Sequence, residues 1–119
     1  MKSVAIVFTH GPHGDASGRE GLDALLAISA LSDKVAAFFI GDGILQLQAG
    51  QMAEQALSRN HAATFKVLPL YDIDERWVCK QSLLERGLSS QPEWVLDAGI
   101  LEPDTLRDKL AHYDVILTF

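Results

Sequence analysis

The only cysteine, Cys79, sits in Trp77-Val78-Cys79-Lys80-Gln81, where an apolar β-compatible run gives way to a helix-compatible one. A thiol at such a junction meets backbone N–H donors and the positive end of a helix, both of which favour thiolate over thiol. Arg76 and Lys80 flank it in sequence and can add positive charge. The address therefore suits thiol chemistry. The competing reading is that cysteine is among the most buried residue types and fills small apolar gaps at strand ends. Both readings stay open from spacing alone. One cysteine closes no intramolecular disulfide, an economy that fits a reducing compartment.

A second chemical grouping is His10-Gly11-Pro12-His13-Gly14-Asp15, two histidines and a carboxylate in a loop after an apolar run. Its short spacing around a proline matches no structural zinc pattern, so a tight strand-to-helix turn competes with a metal site. As a phosphate cradle it lacks both the Gly-Lys-Ser/Thr ending of a P-loop and the Gly-x-Gly-x-x-Gly fingerprint. A flavodoxin-like nucleotide or phosphate module is thus a weakly supported alternative. Gly41-Asp42-Gly43 places a carboxylate after a second apolar run, but Asp-Gly is an ordinary turn pair. No serine, histidine and acid spacing suggests a hydrolase triad. Trp77 and Trp94 read as core residues or as anchors for a partner, and His61 and His112 read as helix-surface residues.

The elements that must position these residues follow from periodicity. Val4 to Phe8 and Val35 to Ile40 are continuously apolar, as expected of strands covered on both faces. Between them, Ser17-Gly18-Arg19-Glu20 has the form of a capping box, and Leu22, Leu25, Leu26 and Ser29 recur at helical spacing until Ser32-Asp33. This is a β-α-β unit. The stretch from Ile44 to Gln51 follows no clear pattern, and Met52 to Leu68 is mostly helix-compatible. Arg76-Trp77-Val78 predicts a third strand, Gln81 to Arg86 a short helix closed by Gly87, and Trp94-Val95-Leu96 a fourth strand. Pro103 suits a first helical turn, Leu106 and Leu110 share a helix face, and Asp114 to Phe119 supplies a last strand. The alternation predicts a three-layer α/β/α sandwich around a mainly parallel five-stranded sheet.

Length and composition bound the function. A chain of 119 residues fits one domain spanning 1–119, and 48 % hydrophobic with 22 % charged residues is ordinary globular usage. The formal net charge of −6, without a basic run, repels phosphate backbones and argues against direct nucleic-acid binding. The apolar run after Met1-Lys2-Ser3 is shorter than a signal-peptide core, and no stretch reaches bilayer-spanning length, so a cytoplasmic location is the expectation.

Four segments carry a resemblance: Gly18-Arg19-Glu20-Gly21-Leu22-Asp23-Ala24-Leu25-Leu26-Ala27, Phe38-Phe39-Ile40-Gly41-Asp42-Gly43, Leu68-Pro69-Leu70-Tyr71-Asp72-Ile73 and Trp77-Val78-Cys79. With the terminal Asp114-Val115-Ile116-Leu117, they resemble the DsrF-like branch of the DsrE/DsrF family over nearly the whole chain. The resemblance implies a subunit of a heterohexamer, a dimer of trimers, with TusB-like and TusD-like chains. That assembly passes persulfide sulfur from a TusA-like carrier to a TusE-like one, for 2-thiolation of the wobble uridine of certain tRNAs. It also implies that the main carrier thiol lies on the TusD-like subunit, at the position corresponding to Cys79. Cys79 is thus a candidate persulfide site in a chain whose expected role is assembly and interaction, with persulfide carriage by Cys79 as the alternative. A lone thiol with no resolving cysteine can still accept and hand on a persulfide to thiols of other chains, and such a relay calls for no metal or nucleotide cofactor.

The isolated chain is expected to give no gel shift with tRNA at physiological salt; tight binding that weakens steeply with added salt would show the acidic-field argument to be wrong.

Overall fold

A computed structural model describes residues 2–10, 17–32, 34–47, 73, 75–87 and 98–119, the side chains of 17–19 and 45–47 excepted. Its elements are β1 (Val4–Phe8), α1 (Ser17–Ser29), β2 (Val35–Phe39), a 3₁₀ segment (Gly41–Leu47), β3 (Glu75–Cys79), α2 (Lys80–Glu85), β4 (Gly99–Leu101), α3 (Pro103–Ala111) and β5 (Val115–Thr118). The strands form one sheet in the order β4-β3-β2-β1-β5, and every described pairing is parallel. Parallel neighbours need crossovers, and the helices α1, α2 and α3 lie on those crossovers.

The two faces of the sheet follow from strand alternation. Val4, Ile6 and Phe8 of β1 and Val35, Ala37 and Phe39 of β2 face the layer built by Leu22 and Leu25 of α1, Leu83 of α2 and Ile44 of the 3₁₀ segment. Ala5, Val7, Ala36 and Phe38 face the opposite layer, where α3 contributes Leu106 and Leu110. Phe8 and Phe39 are in register as strand partners and stack at 4.9 Å between ring centroids with an 8° interplanar angle. Truncating a buried phenylalanine of this kind to alanine costs about 3–5 kcal/mol through lost transfer energy and the cavity left behind. On the other face Phe38 meets Tyr113 edge-on at 5.8 Å.

The sequence expectations hold in most particulars. Gly87 adopts φ +68°, just beyond Arg86, whose N–H donates to the Leu83 carbonyl at the end of α2, and this is the left-handed position that glycine occupies without a Cβ clash. Pro103 occupies the first turn of α3. The third strand is longer than Arg76 to Val78 and takes in Cys79 as its last residue. The start of the stretch that followed no clear pattern is the 3₁₀ segment, and Gly43 is required there because a Cβ at this position would strike the Phe8 carbonyl. The helix-compatible run Met52 to Leu68 and the strand expected at Trp94-Val95-Leu96 lie outside the described residues, and the fourth strand described is Gly99–Leu101. The Ser17 hydroxyl expected to cap α1 is likewise outside them.

The last strand is fastened along its inner edge. Val115 donates to the Ser3 carbonyl at 3.0 Å, and Phe119 donates to that of Val7 at 2.8 Å. Asp114 closes the near end: the Ser3 N–H donates to its Oδ2 at 2.9 Å, the Ser3 hydroxyl does so at 3.2 Å, and Asp114 N–H returns a bond to the hydroxyl at 3.0 Å. The backbone N–H and then the hydroxyl of Ser3 hold the Asp114 carboxyl below its ordinary value of 3.8. A carboxyl depressed in the folded state contributes stability that is complete above the unfolded value and is lost as pH falls through the lower folded one. Thermal melts taken from neutral pH down through 3.8 should therefore show wild type losing stability more steeply than Asp114→Asn. Parallel curves for the two proteins would remove the clamp from the account.

Candidate functional site around Cys79

Cys79 is the last residue of β3 and the N-cap residue of α2, in extended conformation at φ −77° and ψ 119°. The strand-to-helix junction expected from sequence is thus present. The side chain lies on the α3 side of the sheet, in a cluster with Ala5, Val7, Ala36, Phe38 and Leu106. It is 7 % exposed, and beside it in the sheet stands Leu101 of β4. The thiol is therefore a packed group at the carboxyl edge of the sheet, the edge at which open α/β sheets gather ligands.

The two neighbouring cations are engaged elsewhere. Strand alternation sends Arg76 to the face opposite Cys79, where its Nη1 donates to the Ile73 carbonyl at 2.8 Å. Lys80 places its ammonium 3.0 Å from Glu102 Oε1. Adjacency in sequence put both beside the thiol; period-2 geometry turns Arg76 to the other face, and Lys80 is paired with a carboxylate.

The structure adds a brace that sequence spacing did not reveal. Ser82, buried one turn into α2, accepts the Gly41 N–H on its hydroxyl at 2.8 Å. Arg86 reaches from the end of α2 to Asp42 Oδ1 at 2.9 Å and to the Ser82 carbonyl at 3.1 Å. The 3₁₀ segment that leaves β2 is thereby tied to the helix that begins at Cys79. Asp42 and Arg86 are 44 positions apart, so no local motif could pair them. Asp42 serves here as a bracing acceptor as well as a turn residue.

The remaining candidates separate. His10 is exposed at the end of β1, next to Thr9, whose hydroxyl donates to the Phe119 carbonyl at 2.9 Å. A hydroxyl has one proton, so at the 3.2 Å contact between Thr9 Oγ1 and His10 Nδ1 the ring is the donor, a tautomer assigned from the bonding pattern. His13 and Asp15 lie outside the described residues, as do His61 and Trp94. Among the described residues no three histidine, cysteine, aspartate or glutamate side chains gather to hold a metal. His112 ends α3 exposed, its Nδ1 donating to the Asp108 carbonyl at 2.6 Å. Trp77 is half-buried on the α3 side: Lys109 Nζ lies 4.5 Å above its ring, and the ring fills the space that a Cβ at Gly99 would take. That packing assigns it to the core rather than to an exposed anchor.

A sequence model of the DsrE/DsrF-like family matches residues 2–119. The chain belongs to the DsrE/DsrF-like family. Within it, the chain is 58 % identical over 119 residues to the protein TusC of Shigella flexneri serotype 5b (strain 8401), with the whole of both chains covered. Its fold is similar to the crystal structure of the YchN protein from E. coli, with a TM-score of 0.81 over the whole of both chains at 21 % identity. The parallel five-stranded sheet flanked by helices is therefore the DsrE/DsrF-like fold, and Cys79 occupies the carboxyl end of its third strand.

The packing of this family member's thiol is open to a chemical check. A maleimide or disulfide reagent should label Cys79 many times more slowly in the native protein than in denaturant, because the sulfur must be uncovered first. Cys79→Ser should destabilise the fold by about 1–3 kcal/mol in urea unfolding, since it puts a hydroxyl among apolar side chains. Fast native labelling with unchanged stability would mean that the thiol is open to solvent.

Proposed function

We propose that this chain is an interaction subunit of a cytoplasmic sulfur-relay assembly. In this reading it joins TusB-like and TusD-like chains in a heterohexamer built as a dimer of trimers. The assembly receives persulfide sulfur from a TusA-like carrier and delivers it to a TusE-like one, for 2-thiolation of the tRNA wobble uridine. Similarity to a TusC protein over the full length of both chains supports membership in such an assembly. Four exposed apolar side chains, Leu31, Leu84, Ile116 and Leu117, offer surface that subunit contacts can cover. No helix among the described residues is long and apolar enough to cross a membrane.

The observation that carries the division of labour is the burial of the only thiol at 7 % exposure. To take up sulfur, a thiolate must attack the outer sulfur of a donor persulfide in line with the bond that breaks. A new S–S bond forms on the acceptor, and the donor leaves as thiolate. An acceptor sulfur packed among Val7, Phe38 and Leu106 leaves little room for that approach. The sulfur then travels on a partner's thiol, and this chain supplies shape and contacts. The second reading, Cys79 as a persulfide carrier in its own right, draws on its position at the carboxyl edge of the sheet.

Co-expression with TusB-like and TusD-like chains should give a defined hetero-oligomer, while a monomer indifferent to both would overturn the assembly reading. After treatment with a persulfide donor, the mass of this chain should not rise by a sulfur atom on Cys79. In cells, Cys79→Ser should leave the complex assembled and tRNA thiolation largely intact. Thiolation lost with assembly preserved would make Cys79 the carrier.

A further inference from the structure

β5 is one lateral edge of the sheet, with β1 as its inner neighbour. Val115 and Phe119 turn their N–H groups inward, onto the Ser3 and Val7 carbonyls, and the Phe119 carbonyl accepts the Thr9 N–H at 2.7 Å. Strand alternation sends Leu117 the same way and leaves the N–H and C=O of Ile116 and Thr118 pointing outward. Natural sheets blunt such an edge with a charge, a proline, a bulge or a covering segment. Val115-Ile116-Leu117-Thr118 carries no charge and no proline, and its register with β1 runs without a bulge. α1 packs over β1 and β2 and α3 over β3, so β5 extends past both helices. Ile116, in register with Ala5, stands on the α3 side and is 45 % exposed; Leu117, in register with Ile6, stands on the α1 side and is 37 % exposed. An open ladder with apolar side chains on both faces is shaped to take a further strand.

β5 is complementary to a second copy of itself. Placed antiparallel about a two-fold axis through Leu117, the second strand sets Ile116 of each copy opposite Thr118 of the other. These are the residues whose groups point outward, so two donors and two acceptors from each copy all find partners. A slip of one residue would set outward groups against inward ones and lose every bond. The two Leu117 side chains then meet at the axis as a non-hydrogen-bonded pair, the closer of the two kinds. Charge also favours this strip for contact between copies of a chain whose net charge is −6. The Asp114 carboxylates that precede β5 would stand at opposite ends of the pair, about 20 Å apart along six residues of strand. That separation exceeds the Debye length of about 8 Å at physiological salt, so their repulsion is screened.

We propose that β5 is a self-association edge, at which two copies of this chain pair antiparallel through Ile116 and Thr118 about Leu117 and join their sheets into one. The pairing does not involve Cys79 and does not rest on the sulfur-relay reading.

Sedimentation equilibrium of the purified full chain tests it. The contact is at the small end of specific interfaces, so a dimer is expected to appear as loading rises to about 200 µM. Leu117→Lys sets two ammonium groups against each other at the axis and should weaken association about tenfold. Thr118→Pro should do the same by removing an outward donor from each copy, and it spares the β1 ladder because that N–H points away from β1. Leu84→Lys, at an exposed apolar side chain of α2, should leave the dimer unchanged. Leu117→Cys should close an intermolecular disulfide under mild oxidation, since position 117 faces itself across the axis. The altered side chains are exposed, so the fold should survive each change, which circular dichroism would verify. A wild type that stays monomeric at about 200 µM would overturn the proposal, as would a dimer that survives both Leu117→Lys and Thr118→Pro. Equal weakening by Leu84→Lys would also overturn it, because the association would then be unspecific apolar adhesion. So would a chain that is monomeric alone and loses a hetero-oligomer on Leu117→Lys, which would give the edge to a different chain.

Discussion

The parallel ladder between β1 and β2 is the constraint from which the rest of the molecule follows. Five consecutive residues of β1 pair in register with five of β2, from Val4 with Val35 to Phe8 with Phe39. Parallel pairing forbids a tight hairpin, so the chain must cross back over the sheet, and it must bury both faces because neither strand carries a polar side. Helix α1 covers one face and α3 the other. The stacked Phe8 and Phe39 rings then fix how the carboxyl ends of the two central strands lie, and every candidate group at that edge is placed relative to them.

The carboxyl edge is tied together by a close backbone approach and a set of cross-element bonds. The Ile40 N–H donates to the Phe8 carbonyl at 3.0 Å, and Gly43 passes so close to the same carbonyl that no side chain fits. Ser82 and Arg86 then fasten this exit from β2 to α2. Cys79 is held between these restraints and the α3 layer, and its burial is a by-product of that packing. The same location that would favour chemistry in an exposed thiol produces a core residue when a helix closes over it.

The two edges of the sheet differ in kind. At the carboxyl edge the described groups are largely paired or packed, with Arg86 on Asp42, Lys80 on Glu102 and Cys79 among apolar side chains. At the amino edge, side chains of both charge signs line a groove, Lys109 and Glu75 paired among them. The strand ends explain this: the carboxyl ends of β2 and β3 run directly into helical turns that fold back on them, whereas at the amino ends α3 lies alongside and borders the groove.

The alternation of strands and helices, the doubly covered sheet, the caps at Gly87 and Pro103 and the junction at Cys79 are all legible in the chain before folding. Each of these is encoded locally, in period-2 or period-3.6 spacing or in a residue with a special backbone. Tertiary packing was needed to turn Arg76 away from the thiol's face, to pair Lys80 with Glu102 and Asp42 with Arg86, to pack Trp77 on Gly99, and to bring Lys34 and Asp108 to one groove from different elements. Those pairings join residues brought together by strand order and crossover geometry, and a burial fraction depends on what a distant helix covers. The burial of Cys79 could therefore not be read from its neighbours in the chain, because access to a sulfur is set by Leu106 and Phe38, which local spacing does not connect to it.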